Sequence, residues 1–495
     1  MTVSNTLSAR LADPALLKTG GVINGEWLEA SSSAATFDIT NPADGEVIAT
    51  LAEMGPKETE AAIDAAYQAQ KAWAAKTGKE RAVVLRKLYD LMVANVDDLA
   101  TILTIEMGKP LAEAKGEILY GASYVEWFGE EAKRVYGDVI PGHQPDKRIV
   151  VLKQPVGVVG MITPWNFPNA MLARKMAPAL AAGCAVVAKP AEQTPLSAIA
   201  LAVLAERAGL PAGLFNIITG TDGPAIGKAM CASDKLRKIS FTGSTEVGRI
   251  LMRQGAEKIL RLGLELGGNA PFIVFDDADL DAAVEGAMIS KYRNAGQTCV
   301  CANRLYVQSG IYDAFAEKLA AKVGELKLGD GFGEGVTTGP LIDAQGLAKV
   351  EDHIADALAK GAKVVTGGRR ASHGDLFYEP TVLTGVTPQM KVAREETFGP
   401  VAPLFSFETA EDVIAQANDT EFGLAAYFYA RDYANIWRVA EALEYGMVGI
   451  NTGLISTEVA PFGGVKQSGQ GREGSHYGID DYLEIKYLCI GGVQG

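Results

Sequence analysis

The sequence predicts an α/β protein with two parallel sheets, each covered by helices on both faces. The chain has 495 residues, which is too long for one compact core. From Val156 onward, short runs of β-branched residues alternate with helical patterns, as is typical of a parallel sheet. The alternation begins again after Gly268, so we expect a second α/β domain with the boundary near Gly267 and Gly268.

The elements of the first domain follow from these patterns in chain order. Residues 55–108 are rich in Ala, Lys and Glu and predict two amphipathic helices. Thr194 and Pro195 supply the N-cap and the first position of a later helix. Strands are predicted over 157–162, 185–188, 215–218 and 238–242. Helices are predicted over 195–208 and 244–254, and a further helix follows the third strand and ends at about residue 232. Ligands of such sheets bind at the carboxyl ends of the strands.

The second domain is predicted from strands over 271–275 and 304–308 and helices over 279–293 and 311–326. Two further strand-like segments, 147–153 and 482–490, fit neither sheet. An isolated two-stranded ribbon is marginal in water, and exposed strand edges pair readily with other chains. We therefore expect these segments to pair with another subunit, in a homodimer or homotetramer.

Composition and charge exclude several classes of protein. Hydrophobic residues make up 48% of the chain and charged residues 21%, as in ordinary globular enzymes. The net charge of −14 disfavours nucleic acid and anionic membranes, because both attract basic faces. Five scattered cysteines and four histidines predict neither a disulfide framework nor a metal site. The first residues do not resemble a secretory signal, so a reducing cytoplasm is expected.

Three residues are candidates for catalysis. Cys299 lies in a Gly-containing loop after a predicted helix, although a lone cysteine is more often only a small buried apolar residue. Glu265 stands between two leucines at a strand end, where a carboxylate is either paired structurally or held with a raised pKa for general-base work. Asn166 lies in a Pro-bounded loop, where it either caps the turn or donates to an oxyanion.

Seven segments place these candidates in a wider pattern. In chain order they are PWNFP, KPAEQTP, FTGSTEVG, LELGGNAP, GQTC, EETFGP and PFGGVKQSGQGREG, which together run from Pro164 to Gly474. This set resembles the signatures of the aldehyde dehydrogenase superfamily. The resemblance implies that Cys299 attacks an aldehyde, that Asn166 and the Cys299 backbone N–H hold the oxyanion, and that Glu265 activates water to hydrolyse a thioester.

The resemblance also implies a nicotinamide dinucleotide as cofactor. Its binding residues would be Thr163, Pro164, Trp165, Lys189, Glu192, Gly243, Ser244, Glu396 and Phe398. Ser244 opens a predicted helix, whose N-terminus suits a pyrophosphate, although GSTEVG differs from the GxGxxG fingerprint. A carboxylate at Glu192 would repel a 2′-phosphate, and Lys189 would partly offset this repulsion. NAD is therefore expected to be preferred, with NADP as the alternative.

The aldehyde is indicated by a closer resemblance. The segment GQTCVCANR, the Arg174 of MLARK and the ending YLEIKYLCIGG resemble the succinate-semialdehyde dehydrogenase branch. In that branch two arginines and a serine bind the distal carboxylate, and they correspond here to Arg174, Arg293 and Ser456. Fixed guanidinium groups are what an anionic aldehyde needs in a protein of this charge. The alternative for either arginine is a helix-surface ion pair.

Several alternatives stay open at this point. Glutarate semialdehyde is one methylene longer, and a methylene gives little discrimination. A dehydrogenase that transfers the acyl group to coenzyme A would have less use for Glu265, and a non-catalytic relative would be expected to lack one of the three catalytic candidates. Cys301 is either a small buried residue or, as proposed for relatives with the CVC pattern, the partner of Cys299 in a reversible disulfide.

The domains follow from the pattern and the resemblance together. We predict a Rossmann-like dinucleotide-binding domain over 1–137 and 156–267 and a catalytic α/β domain over 268–470. A small β oligomerisation segment is predicted over 138–155 and 471–495.

Overall fold

Two large sheets and two three-stranded sheets carry the fold in the computed structural model, which describes residues 1–493. The strands in the first half of the chain are β1 (Thr2–Val3), β2 (Val22–Ile23), β3 (Glu26–Trp27), β4 (Thr36–Thr40), β5 (Val47–Ala52), β6 (Asp138–Pro141), β7 (Arg148–Pro155), β8 (Val158–Ile162), β9 (Ala185–Lys189), β10 (Phe215–Ile217) and β11 (Leu236–Thr242). Those that follow are β12 (Arg261–Glu265), β13 (Ala270–Val274), β14 (Ala302–Gln308), β15 (Lys363–Thr366), β16 (Thr381–Thr384), β17 (Val401–Phe407), β18 (Ala425–Tyr429), β19 (Met447–Ile450), β20 (Gly469–Gln470) and β21 (Leu483–Ile490).

Helices cover both large sheets. They are α1 (Asn5–Ala9), α2 (Pro56–Ala74), α3 (Gly78–Ala94), α4 (Val96–Met107), α5 (Leu111–Glu131), α6 (Ala170–Ala182), α7 (Pro195–Arg207), α8 (Gly223–Ala232), α9 (Thr245–Ala256), α10 (Leu280–Tyr292), α11 (Tyr312–Val323), α12 (Ala344–Ala359), α13 (Lys391–Arg394), α14 (Ala410–Asn418) and α15 (Tyr433–Ala442). Within residues 1–493, no helix is long and apolar enough to cross a membrane.

The first large sheet has the strand order β20-β12-β11-β8-β9-β10-β2-β3. Its five central strands, β8 to β12, are parallel, and the short strands at its two ends are antiparallel. Every residue of β9 is buried, as are nearly all residues of β8. Strands buried on both faces are characteristic of parallel sheets covered by helices, so the predicted fold class is confirmed for this half.

The second large sheet has the order β15-β16-β17-β14-β13-β18-β19. All its pairings are parallel except that of β15 with β16. The predicted second α/β unit after Gly268 is therefore present. The predicted division into three domains remains a prediction, and the short strand β20 joins the first sheet although its residues were assigned to the second domain.

The prediction of two helices over 55–108 is wrong, because the structure has three, α2, α3 and α4. The break before α3 is a capping box. Thr77 Oγ1 accepts from the Glu80 N–H at 3.3 Å, and Glu80 Oε2 accepts from the Thr77 N–H at 2.8 Å. Such reciprocal bonds satisfy the free N–H groups of a helix start, so the chain restarts a helix here and does not continue the earlier one.

The two unassigned strands pair with each other. β7 and β21 form an antiparallel ladder over eight residues, and β6 adds a third strand on the other side of β7. The two segments therefore form a ribbon within one chain, and the pairing of this ribbon with another subunit's sheet stays a prediction. The homodimer or homotetramer stays a prediction, because β21 and β6 still leave two edges of this small sheet. Residues 494–495 of the predicted segment lie outside the described residues.

Candidate active site

The carboxyl edge of the first sheet gathers predicted residues from three different loops. Strand register aligns Thr242 with Glu265 and Ile162 with Lys189, each at the end of its strand. The residues that follow these strands must therefore lie along one edge of the sheet. They are Thr163, Pro164, Trp165, Asn166, Glu192, Gly243 and Ser244.

A cavity of about 620 Å³ joins this edge to the loop that precedes β14 in the second sheet. The predicted residues on its wall are Pro164, Trp165, Asn166, Arg174, Gly243, Ser244, Arg293, Cys299, Glu396, Phe398 and Ser456. Five others lie outside the wall: Thr163, Lys189, Glu192, Glu265 and Cys301. The cavity thus brings together the candidate nucleophile, the candidate oxyanion donor and the three candidate substrate ligands.

The loop before Cys299 has an unusual backbone. Asn294 and Ala295 have φ angles of 53° and 54°, in a left-handed region that other residues than glycine rarely adopt and that often marks functional sites. A Cβ on Gly268 would lie 2.5 Å from the Cys299 carbonyl oxygen, so only glycine allows this approach. Burial raises the pKa of the half-buried Cys299 thiol to about 12, which keeps it protonated at rest.

Asn166 is fixed beside the Cys299 loop. Its Nδ2 donates to the Gln297 carbonyl oxygen at 3.0 Å, two residues before the cysteine. The backbone carbonyl oxygen of Asn166 accepts from Lys109 Nζ at 2.7 Å and from Asn294 Nδ2 at 3.1 Å. An amide nitrogen carries two hydrogens, so one N–H remains for a ligand. The Asn166 Oδ1 is buried and accepts no hydrogen bond from the described residues.

Glu265 is a buried carboxylate with one unpaired oxygen. Its side chain lies near Glu473, and no residue among 1–493 donates a hydrogen bond to its Oε2. Burial, followed by the negative charge of Glu473, raises the pKa of Glu265 well above its usual value. The charge of Glu265 in turn adds to the rise in the pKa of Cys299, which is mainly due to burial. A carboxylate in this state accepts a proton more readily than an ordinary carboxylate does, as a general base requires.

The two candidate arginines have different surroundings. Arg174 forms a buried ion pair with Glu473, and its guanidinium carbon lies 4.2 Å from the ring centroid of Phe462. Its side chain is only 1% exposed, so the alternative of a surface ion pair is wrong for Arg174. The Arg293 guanidinium lies 5.1 Å from the ring centroid of Phe167. None of the ion pairs between described residues includes Arg293.

The residues implied for the dinucleotide fit such a ligand. Ser244 caps α9 at the carboxyl edge of the sheet, where free helix N–H groups suit a phosphate. Lys189 Nζ donates to Glu192 Oε2 at 2.8 Å, just beyond the end of β9. The hydroxyl groups of Thr163 and Thr242 are buried at the same edge without a partner among residues 1–493. Unpaired buried donors are expected where a polar ligand completes the site.

Glu396 and Phe398 reach the cavity from the second sheet. Glu396 Oε1 accepts from the Gly268 N–H at 3.1 Å, and burial raises the pKa of Glu396 to about 7. The Phe398 ring packs edge-to-face on Trp165 with 5.6 Å between centroids. These contacts join the loops of both sheets across the mouth of the cavity.

Cys301 is a buried thiol behind the Cys299 loop. Its Sγ donates to the Lys291 carbonyl oxygen at 3.3 Å, and both Cys299 and Cys301 are free thiols. Burial raises the pKa of the Cys301 thiol. Its disulfide with Cys299 therefore remains a prediction that requires its side chain to turn away from this carbonyl.

Four charged residues behind the cavity were missed at the sequence level. Lys175 pairs with the same Glu473 that holds Arg174, and Lys109 pairs with Glu117. Lys175 and Glu473 stand inside quoted segments, MLARK and GREG, but their spacing of 298 positions gives no local signal that they meet. For Lys175, the available sign was a charged residue within the largely apolar run 170–182. No cluster of His, Cys, Asp or Glu among residues 1–493 could hold a metal ion.

A cysteine, a buried base and an amide donor beside a dinucleotide-type sheet edge define an oxidoreductase that works through a covalent thioester. The chain belongs to the aldehyde dehydrogenase family, since the model of the "Aldehyde dehydrogenase family" matches residues 27–488. The resemblance stated from the seven segments is thereby confirmed.

Individual relatives cover almost the whole chain. The succinate-semialdehyde dehydrogenase [NADP(+)] GabD of Escherichia coli is 64% identical over 97% of this chain and 100% of its own length. A glutarate-semialdehyde dehydrogenase of Pseudomonas aeruginosa is 63% identical over 98% of this chain and 100% of its own. The crystal structure of an E. coli NADP-dependent enzyme superposes with a TM-score of 0.96 at 64% identity, over 97% of this chain and 100% of that one.

Proposed function

We propose that the protein oxidises succinate semialdehyde to succinate with a nicotinamide dinucleotide. The observation that carries the proposal is the cavity wall, on which Cys299, Arg174, Arg293 and Ser456 occur together. A short aldehyde with a carboxylate at its other end has one reactive group for the cysteine and one charge for the guanidinium groups. The name of the E. coli relative supports the same substrate.

The first chemical step is attack of Cys299 Sγ on the aldehyde carbon. A carbon–sulfur bond forms, the carbonyl oxygen becomes an oxyanion, and the thiol proton leaves for a base. The free N–H of Asn166 Nδ2 and the Cys299 backbone N–H are the proposed oxyanion donors. Solvent water takes the thiol proton, so Glu265 enters the second half of the reaction as a free carboxylate.

The second half of the reaction is hydrolysis. The bound dinucleotide supplies the acceptor for the hydride that leaves the thiohemiacetal carbon. The resulting thioester on Cys299 is attacked by water, from which Glu265 removes a proton. The carbon–sulfur bond then breaks, the carboxylic acid leaves as its anion, and the thiol is regenerated. An acceptor such as coenzyme A would make this base superfluous, so Glu265 argues against acyl transfer. The presence of Cys299, Glu265 and Asn166 together argues against a non-catalytic relative.

Glutarate semialdehyde is the second candidate substrate, because two relatives at 63% and 64% identity are named for it. The deciding measurement is NAD(P)H formation with succinate semialdehyde, glutarate semialdehyde and butanal, each with and without coenzyme A. We expect a much higher kcat/KM for the two acid aldehydes than for butanal, succinate semialdehyde first, and no effect of coenzyme A. Equal values for all three aldehydes would contradict the role of the arginines.

We further propose that NAD is the preferred cofactor and that the enzyme is a cytoplasmic homodimer or homotetramer. The preference rests on the Glu192 carboxylate, which would repel a 2′-phosphate. The ion pair with Lys189 reduces this repulsion, and the E. coli relative carries NADP(+) in its name. We expect kcat/KM to be several times higher with NAD, and Glu192→Ser to shift the ratio towards NADP. An equal or higher value with NADP in the native enzyme would contradict the inference from Glu192.

A further inference from the structure

A buried ion pair lies directly behind the loop that carries Asn166. Lys109 follows α4, and Glu117 lies on the next helix, α5. Lys109 Nζ is 2.6 Å from Glu117 Oε2, and both side chains are only 1% exposed. A pair buried to this degree loses much hydration, and apolar residues of similar volume often give equal or greater stability. Stability alone therefore does not explain why this pair is present.

The remaining hydrogen bonds of the pair all reach one segment, residues 166–170. Lys109 Nζ donates to the Asn166 carbonyl oxygen at 2.7 Å and lies 3.8 Å from the ring centroid of Phe167. Glu117 Oε1 accepts from the backbone N–H groups of Asn169 and Ala170 at 3.0 and 3.2 Å. The cation thus holds the first residue of the segment, and the carboxylate holds its end at the start of α6.

The Asn166 side chain depends on this backbone position. Its Nδ2 donates to the Gln297 carbonyl oxygen, and the backbone carbonyl oxygen of Asn166 accepts from Asn294 Nδ2. Both partners belong to the loop that presents Cys299. A shift of the 166–170 segment would therefore move the amide relative to the thiol, and displacements of about 1 Å cost reactions roughly a hundredfold.

We propose that Lys109 and Glu117 are positioning residues that hold the Asn166 amide at the site where the oxyanion forms. The proposal rests on the proposed function, in which Asn166 is an oxyanion donor. Lys109 and Glu117 touch neither substrate nor thiol in this arrangement. They act through the backbone of the segment, which the pair grips at both ends.

The test is the double variant Lys109→Met/Glu117→Gln. It removes both members of the pair together, so neither charge is left buried without the other, and Gln can still accept from the Asn169 N–H. The expected result is a fall of roughly tenfold to a hundredfold in the rate of the NADH burst, with unchanged affinity for the dinucleotide. The matched control is Lys115→Met, on the same helix as Glu117. Lys115 forms an exposed ion pair with Asp97, so this variant should keep the native burst.

A double-mutant cycle separates positioning from general stability. The burst is measured in single turnovers for Asn166→Ala with and without the Lys109→Met/Glu117→Gln change. If the pair acts through Asn166, the change costs little once the amide is absent. A full additional loss in the Asn166→Ala background, or a native burst rate in the pair variant, would overturn the proposal.

Other outcomes are distinguishable. A native enzyme that forms no NADH from any of the aldehydes contradicts the proposed function itself, whereas a native burst in Asn166→Ala removes the role of Asn166 and the positioning proposal with it. If the pair variant does not fold, Lys109→Arg decides. A planar guanidinium cannot place its N–H where Nζ lies without displacing Phe167 or Glu117, so the burst should slow at least threefold. An unchanged burst in Lys109→Arg overturns the proposal.

Discussion

The groups proposed to react and the charged cluster of Glu473, Arg174 and Lys175 differ in their counter-charges. Asn166 Oδ1 and Glu265 Oε2 are buried without a hydrogen-bond partner among the described residues, and Glu265 forms no ion pair with them. Glu473, in contrast, forms ion pairs with both Arg174 and Lys175. The proposed base thus lacks a counter-charge, whereas the carboxylate beside it is paired with two.

Two neighbouring carboxylates show what this difference does. Burial would raise the pKa of both, and it does so for Glu265, with the charge of Glu473 adding to the effect. For Glu473, the adjacent Arg174 and Lys175 outweigh burial and hold the pKa below its usual value. Glu265 therefore binds a proton more readily than an ordinary carboxylate while Glu473 stays ionised, which separates the role of base from that of a fixed charge.

The largest expected effect on the wall is that of Cys299→Ala. Without the sulfur no thioester can form, so we expect turnover below about 1% of the native rate, since a lost nucleophile costs orders of magnitude. Dinucleotide binding should be unchanged, because the adenosine side of the site lies on the first sheet. Steady-state assays and a binding titration measure both quantities, and Cys231→Ala, in the remote helix α8, is the control. Turnover clearly above this level would contradict the covalent route.

Glu265→Gln should separate the two half-reactions. The amide cannot take a proton from water, so we expect a burst of NADH followed by a steady rate at least a hundredfold below native. Because the pKa of Glu265 is raised, the native steady rate should rise with pH as the carboxylate deprotonates, at a pH above the range in which an ordinary carboxyl group titrates. This rise should be missing in the variant. A variant with a native steady rate and an unchanged pH profile would remove Glu265 from deacylation.

The supporting carboxylate should respond differently. Glu473→Gln leaves Arg174 and Lys175 buried without their counter-charge, and breaking a buried pair in this way typically costs about 3–5 kcal/mol of stability. We therefore expect a clear fall in the melting temperature of Glu473→Gln. Glu265→Gln should leave the melting temperature unchanged or raise it, because it removes a carboxylate whose charged form is disfavoured. Thermal unfolding of the two variants side by side measures this contrast, and equal shifts would erase it.

The two arginines extend the comparison to the substrate. Arg293 has no ion pair within the described chain, so Arg293→Ala should lower kcat/KM for succinate semialdehyde about tenfold while leaving butanal unchanged, as expected for a charge-assisted hydrogen bond of ~1.5–3 kcal/mol. Arg174→Ala should also lower kcat/KM for succinate semialdehyde more than for butanal, but with an added loss of stability, because Glu473 then keeps only Lys175 as its counter-charge. Equal losses on both aldehydes for Arg293→Ala would assign that residue to the fold.

The sequence was sufficient wherever a rule connects local pattern to position. The carboxyl ends of parallel strands meet at one edge of a sheet, so the strands that end before Asn166, before Ser244 and at Glu265 predict that these residues share that edge. Prediction from the sequence failed where contacts join segments that are distant along the chain. Nothing local indicates that β7 pairs with β21 or that Lys175 meets Glu473. The extra break in the N-terminal helices was visible in principle, since Thr77 and Glu80 have the spacing of a capping box.

The smallest expected effect is that of replacing Cys301, the buried thiol two residues after Cys299. Without an oxidant, Cys301→Ala should keep its activity within about twofold, because the thiol is buried and bonded to the Lys291 carbonyl oxygen.

Under peroxide, Cys299 would be oxidised first to the sulfenic acid, which a second thiol can trap as a disulfide with loss of water. The native enzyme should then recover with dithiothreitol, while Cys301→Ala should not, because its sulfenic acid oxidises further. Residues two apart are close enough for a disulfide only if the loop bends inward. The Cys301 N–H donates to the Thr298 carbonyl oxygen at 3.0 Å, so the chain is already turned here. Parallel and irreversible inactivation of both proteins would show that Cys301 has no protective part.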